Sequence, residues 1–196
     1  MAESISIGMF GPVAVGKTSL TVQYVSNTFS EMHDPTLEDY FETSKNIDNK
    51  VSKMTIYDTG GQELAYTLLN DTIKDSEGFL IVYSVTDPES YEKVKGIHSK
   101  IKSSKEGLKE VPIVLVANKI DITRMVSTEQ GQSLAKELGC KYMETSAKTR
   151  VNVEQAFAEV VKEVRRIRIA AAAPSSPSSP NPSSPSSKGK KSCKQQ

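Results

Sequence analysis

Apolar and polar positions alternate every second residue from Ser4 to Phe10, the period of a half-buried strand. From Lys17 to Ser26 the period changes, and Leu20, Tyr24 and Val25 fall on one side of a helix. Phe41–Ile47 and Val51–Tyr57, joined through Asp48-Asn49-Lys50, read as a hairpin. Two short unbroken apolar runs, Gly78–Val85 (GFLIVYSV) and Val111–Ala117 (VPIVLVA), suit parallel strands covered on both faces. Asp87-Pro88 places a cap before a proline at the first helical position, and Tyr91, Val94, Ile97 and Ile101 keep helical spacing after it. Ser127 with Gln130 forms a capping-box pattern ahead of a helix carrying Leu134 and Leu138. The last helix, from about Asn152 to Arg168, shows a stripe of Val153, Ala156, Phe157, Val160, Val161, Val164 and Ile167. In order, the elements read βαββαβαβα.

Strands alternating with helices predict a mainly parallel, three-layer α/β sheet whose ligand crevice lies at the carboxyl ends of the strands. Chemistry-bearing motifs are therefore expected just after strands. The 196 residues, 37% hydrophobic, suffice for one well-buried domain plus extra chain. No run of about 18 apolar residues occurs, and the start, MAESISIGMF, carries Glu3 and enters the strand alternation directly. Neither a spanning helix nor a secretory signal is expected, which points to the cytosol. Cys140 and Cys193 are the two cysteines, a usage that fits a reducing compartment without a disulfide framework. The 25 Lys and Arg nearly balance 24 Asp and Glu, but four of the lysines lie beyond residue 169 with no acid among them. The first 169 residues thus hold 21 basic against 24 acidic side chains. A mildly acidic body argues against nucleic-acid binding and makes the tail the cationic contact.

Four motifs fall where the fold predicts. Gly11–Thr18 fits GxxxxGK[ST] between the first strand and the first helix. Its backbone N–H groups and helix N-terminus suit phosphate oxygens, Lys17 can reach terminal phosphates, and the Thr18 hydroxyl can ligate Mg²⁺. The bland alternative is a glycine-bounded turn with a capping threonine. After the third strand comes DTGGQE, Asp58–Glu63, whose first carboxylate can hold a metal and whose Gly61 can bring its N–H near a terminal phosphate. After the fifth comes NKID, Asn118–Asp121, and after the sixth ETSAK, Glu144–Lys148. An aspartate at a base edge accepts from two adjacent N–H groups, a pattern guanine presents and adenine does not. Taken singly, NKID also reads as a solvated turn and TSA as a helix cap; in this order, each at a strand end, coincidence is remote.

On these motifs the chain, over roughly residues 4 to 168, resembles the Ras and Rap branch of the Ras superfamily of small GTPases. The resemblance implies the P-loop GTPase fold: a six-stranded, mostly parallel sheet with helices on both faces and one antiparallel edge strand. It implies a slow, monomeric GTP hydrolase and a GTP/GDP switch in signal transduction that binds effectors when GTP-loaded. Val13, Ala14, Val15, Gly16, Lys17, Thr18 and Ser19 would surround the phosphates. Phe29 would pack on guanine, Asn118, Lys119 and Asp121 would surround the base, and Ser146, Ala147 and Lys148 would lie beneath it. Thr36 would join Thr18 and Asp58 around Mg²⁺, with Gly61 at the γ-phosphate, while Gln62 would orient the attacking water. His33–Phe41 (HDPTLEDYF) looks like the effector-binding switch, and exchange factors and GTPase-activating proteins are further implied partners. The interval from Asp121 to Glu144 has no room for the extra helix of the Rho branch. An ATP-using P-loop kinase is disfavoured by Asp121 and by the lack of a lid-sized insertion.

The sequence departs from this family in the phosphate loop. Val13 stands where Ras relatives usually carry glycine, at the closest approach to the γ-phosphate, to Gln62 and to an incoming arginine finger. Pro12 removes an amide donor ahead of the amides expected to cradle the β-phosphate. Gly60 replaces a usual alanine and widens the backbone choices of the second switch. His33 replaces a usual aromatic hydroxyl, and either lies over the nucleotide or is simply solvated. Two readings follow: a working switch, or an effector-binding module held mostly in its GTP form by Val13. Beyond the domain at 1–169, the tail 170–196 turns to AAAAPSSPSSPNPSSPSS, expected to be a disordered tether. It ends in KGKKSCKQQ, placing Cys193 fourth from the end behind Lys188, Lys190 and Lys191. That spacing fits a prenylation signal, and Gln196 favours farnesyl, although Lys194 and Gln195 are not aliphatic. One lipid with a polybasic second signal would hold the chain at the cytoplasmic face of the plasma membrane, with a cytosolic pool. The alternative is a solubilising basic tail.

Overall fold

Alternation in the strands decides the architecture. The computed structural model describes residues 3–30, 38–60 and 66–172. The elements run β1 (Glu3–Phe10), α1 (Lys17–Ser26), β2 (Glu38–Ile47), β3 (Lys50–Thr59), α2 (Tyr66–Asp75), β4 (Gly78–Ser84), α3 (Pro88–Glu92), α4 (Val94–Ser104), β5 (Ile113–Asn118), α5 (Thr128–Leu138), β6 (Lys141–Glu144) and α6 (Val153–Ala172). The six strands form one sheet in the order β2-β3-β1-β4-β5-β6, with every pairing parallel except β2 with β3. Ile5, Ile7 and Met9 of β1, Leu80 and Val82 of β4 and Val114 and Val116 of β5 share one core with Leu20 and Tyr24 of α1 and the α6 stripe from Val153 to Val164, without Ile167. The intervening residues, among them Phe10, Phe79, Ile81, Tyr83 and Leu115, form the second core with Ile73 of α2, Val94 and Ile101 of α4 and Leu134 of α5. Helices thus cover both faces, and the six-stranded, mostly parallel sheet with one antiparallel edge strand is as the sequence implied.

The element order needs correction. The string βαββαβαβα is one helix–strand pair short: α2 and the four-residue β6 were not outlined by periodicity. The hairpin turn is shorter than Asp48-Asn49-Lys50, because Lys50 already pairs with Ile47 and only Asp48 and Asn49 turn, at φ 51° and 60°. Two left-handed residues give the turn whose twist matches the strands. The helix after Asp87 is assigned in two pieces, yet Lys93 between them keeps right-handed dihedrals, so the apolar spacing continues across the joint. Asp87 accepts from the Glu89 N–H, and Ser127 and Gln130 make the full capping box. The last helix continues to Ala172, past Arg168. No described helix is long and apolar enough to cross a membrane.

Candidate functional site

Four chain segments converge at the carboxyl ends of β1, β3, β5 and β6. The turn after β1 is forced by sterics: a Cβ on Gly11, at φ 149°, would stand 2.1 Å from the Val82 carbonyl oxygen, and one on Gly16, at φ 94°, would stand 2.5 Å from Asn118 Nδ2. Between them Val15 is buried, Val13 is 53% exposed, and Ala14 takes a left-handed φ of 63°. The bulky middle of the loop is therefore accommodated by exposing the valine and placing the strain on Ala14. Lys17 is only 5% exposed, and its Nζ donates to the carbonyls of Gly11 (2.9 Å) and Pro12 (2.8 Å). Pro12 thus keeps the group that Lys17 needs. Burial pushes the Lys17 ammonium down to about 8, against the opposing attraction of Asp58.

Asp58 comes from the end of β3, in register with Met9, and is fully buried. The Thr18 hydroxyl donates to its Oδ2, and next to it Thr59 Oγ1 donates to the Met9 carbonyl (2.8 Å), which pins the strand end to β1. The hydroxyl and carboxylate are hard oxygen donors brought together across 40 residues of sequence. That donor set fits magnesium, which takes one or two protein oxygens and keeps its remaining positions for water or phosphate.

The β5 and β6 ends buttress the same loop. Asn118 Nδ2 donates to the Val15 carbonyl (2.9 Å), and Lys119, at φ 66°, donates from Nζ to the Ala14 carbonyl (2.7 Å). Thr145 Oγ1 donates to Asn118 Oδ1 (3.1 Å), and Ser146 Oγ donates to Asp121 Oδ1 (2.6 Å). Ser146 and Ala147 are buried, Lys148 is exposed, and Phe29 is partly exposed beyond α1. Ser19 lies half-buried in the first turn of α1. Thr36, Gly61, Gln62, most of His33–Phe41 and Cys193 lie outside the described residues.

Three further groups hold this site and carry no motif. Gln23 of α1, buried, donates from Nε2 to the Ala147 carbonyl (2.7 Å). Arg124 forms a two-pronged pair with Glu144 at 2.9 and 3.3 Å, and Thr128 and Tyr142 also donate to that carboxylate. These bonds hold Glu144 ionised below the usual carboxylate range, Arg124 contributing most. Asn152 Nδ2 donates to the Glu144 carbonyl (2.8 Å). The one available signal was Gln23, a polar residue on the apolar side of α1.

A phosphate-loop lysine, a buried strand-end aspartate and two base-edge motifs in one crevice are matched by similarity over most of the chain: the model of the Ras family matches residues 7–166. This chain belongs to the Ras family. Among its Ras-family relatives, "Ras-like protein rasS" of Dictyostelium discoideum is 42% identical over 160 residues, covering 81% of this chain and 82% of its own length. "Protein ras-2" of Neurospora crassa is 41% identical over 179 residues, covering 81% and 78%. "GTP-binding protein Rit2" of Mus musculus is 40% identical over 167 residues, covering 84% and 76%. As a Ras-family small GTPase, the chain binds guanine nucleotide and hydrolyses GTP.

Proposed function

We propose that the chain is a membrane-anchored GTP/GDP switch that binds effectors through His33–Phe41 when GTP-loaded and is reset by exchange factors and GTPase-activating proteins. The observation that carries this reading is the tie between the base-side motif and the phosphate loop, through Asn118 to the Val15 carbonyl and Lys119 to the Ala14 carbonyl. A ligand seated on both would be sensed by both at once. Lys17 releases its carbonyl bonds to the terminal phosphates and carries positive charge to them. Asp121, aimed by Ser146, accepts from the guanine edge, and Phe29 covers one face of the base. Thr18, Asp58 and Thr36 hold Mg²⁺, which when bound neutralises phosphate charge. Gln62 orients the attacking water. Cys193 with the tail lysines holds the protein at the cytoplasmic face of the plasma membrane as a monomer, in exchange with a cytosolic pool. In competition binding, GDP and GTP should exceed ATP by orders of magnitude, and Asp121→Asn should shift preference toward xanthine nucleotides; equal competition by ATP would overturn the reading.

Val13 supports a second, narrower reading, in which the chain is a hydrolysis-impaired module largely held in its GTP form. Its exposed branched side chain sits on the crest of the phosphate loop, outside the carbonyls that Lys17, Asn118 and Lys119 hold. Crowding there excludes an arginine finger, worth roughly 10³ to 10⁵ in rate, and spares nucleotide binding. Single-turnover hydrolysis should be slow, should respond little to a Ras-type activating protein, and should regain that response in Val13→Gly. A thousandfold stimulation of the unaltered chain would falsify this second reading.

A further inference from the structure

We propose that Asn152, outside every recognised motif, is a positioning residue for the Glu144–Lys148 loop, an inference resting on the reading that this loop lies beneath the guanine base. After β6 the chain makes a closed excursion. Ser146 N–H donates to the Val151 carbonyl (3.1 Å), and Thr149 N–H donates to Ser146 Oγ (3.0 Å), so residues 146–151 fold back on themselves. Closing so short a path takes left-handed backbone on both sides of Val151: Arg150 at φ 63° and Asn152 at φ 54°.

Asn152 does three things at once. Its backbone supplies the second left-handed turn, a conformation asparagine adopts more readily than most residues. Its carbonyl accepts the Ala156 N–H (3.0 Å) and so starts α6. Its amide Nδ2 donates to the Glu144 carbonyl (2.8 Å), joining the exit of the excursion to its entrance eight residues earlier. The Glu144 side chain is meanwhile clamped by Arg124, which follows Asp121 in the chain. Asn152 therefore fixes the backbone whose Ser146 aims Asp121 and whose Ala147 is held by Gln23. Glycine would supply the dihedral without the amide, and aspartate would keep a side chain of the same size while replacing the donor with an acceptor facing a carbonyl. These two substitutions separate the bond from the turn.

The test is dissociation of a ribose-labelled fluorescent GDP from the full chain, chased with excess GDP, with Mg²⁺ present and chelated. Asn152→Gly should raise the dissociation rate roughly two- to tenfold, the loss expected for one partly buried neutral hydrogen bond. Asn152→Asp should raise it at least as much. Because the bond lies on the base side, the factor should be the same in both Mg²⁺ conditions, a result that general loosening of the fold would not give. Asn49→Gly, which relieves a left-handed asparagine at the hairpin turn on the far end of the sheet, should leave the rate unchanged. An unaltered chain that holds GDP while both Asn152 variants match its rate overturns this inference alone, as does a rise confined to the chelated condition. An unaltered chain that exchanges GDP and ATP alike overturns the reading of the loop on which it rests.

Discussion

Gly131 shows how a single side chain's absence can organise others. It lies inside α5, where alanine in its place would ordinarily stabilise by roughly 1 kcal/mol. Here a Cβ would stand 2.4 Å from the Tyr83 hydroxyl and 2.5 Å from that of Tyr142. Those two hydroxyls face each other at 3.4 Å, and Tyr142 passes the contact on to Glu144. Rigid rings cannot withdraw their ends without moving β4 or β6. Gly131→Ala is therefore expected to cost about 1–3 kcal/mol, a fall of roughly 2–10 °C in the thermal midpoint of the GDP-loaded protein. Adding Tyr83→Phe and Tyr142→Phe should recover part of the loss; a midpoint at or above that of the unaltered chain would show that the rings yield freely. Such residues were illegible in the sequence for the same reason as Asn152: their roles come from partners 48 and 8 positions away that no local pattern names, and Gln23, though marked as a polar residue on an apolar side, gives no hint of its partner 124 positions away. Lys17, Asp58, Asn118 and Asp121 were legible because backbone turns at strand ends impose their spacing.

Between elements, one far-reaching tie is the clasp of β1, the β2–β3 hairpin and α6. Glu3, with a side chain 10% exposed, accepts from Lys50 (2.6 Å), Ser52 (2.8 Å) and Arg165 Nε (2.6 Å), and Arg165 also donates to the Ile47 carbonyl (2.9 Å). Burial works against the charged carboxylate, but the bonds from Lys50, Ser52 and Arg165, with the charge of Arg165, outweigh it and hold Glu3 at about 2. A carboxylate depressed in the folded state stabilises above its ordinary value near 4.5 and loses that contribution as pH falls toward 2. Glu3→Gln should thus lower the thermal midpoint at pH 7 by several degrees, with the two proteins converging as pH falls from 4.5 toward 2; parallel curves across that range would exclude the clasp. Elements with long apolar runs or explicit caps were readable from sequence. The ten-residue α2, with few apolar positions, and the four-residue β6 were not, because short pieces give too few repeats to reveal a period.

At the scale of the whole molecule, the proposed membrane contact would fall to the tail, where four lysines lie beyond residue 169 with no acid among them. Cys193→Ser is expected to move the protein from the membrane fraction of cells into the cytosol, and Lys188, Lys190 and Lys191 changed together to Gln should weaken the association and its sensitivity to salt. Intact mass spectrometry of the cell-derived chain showing an unmodified end at Gln196 would exclude a lipid at Cys193.

The same clasp also bears on the order in which the protein is made. Glu3 leaves the ribosome before Arg165, and before Arg168 with its bond to the Ser4 carbonyl (2.8 Å), by the length of everything between. Until α6 arrives, the face of the sheet carrying Ile5, Ile7 and Met9 has no Phe157, Val160 or Val164 to cover it. A nascent chain stalled before residue 153 therefore displays an open apolar surface to chaperones.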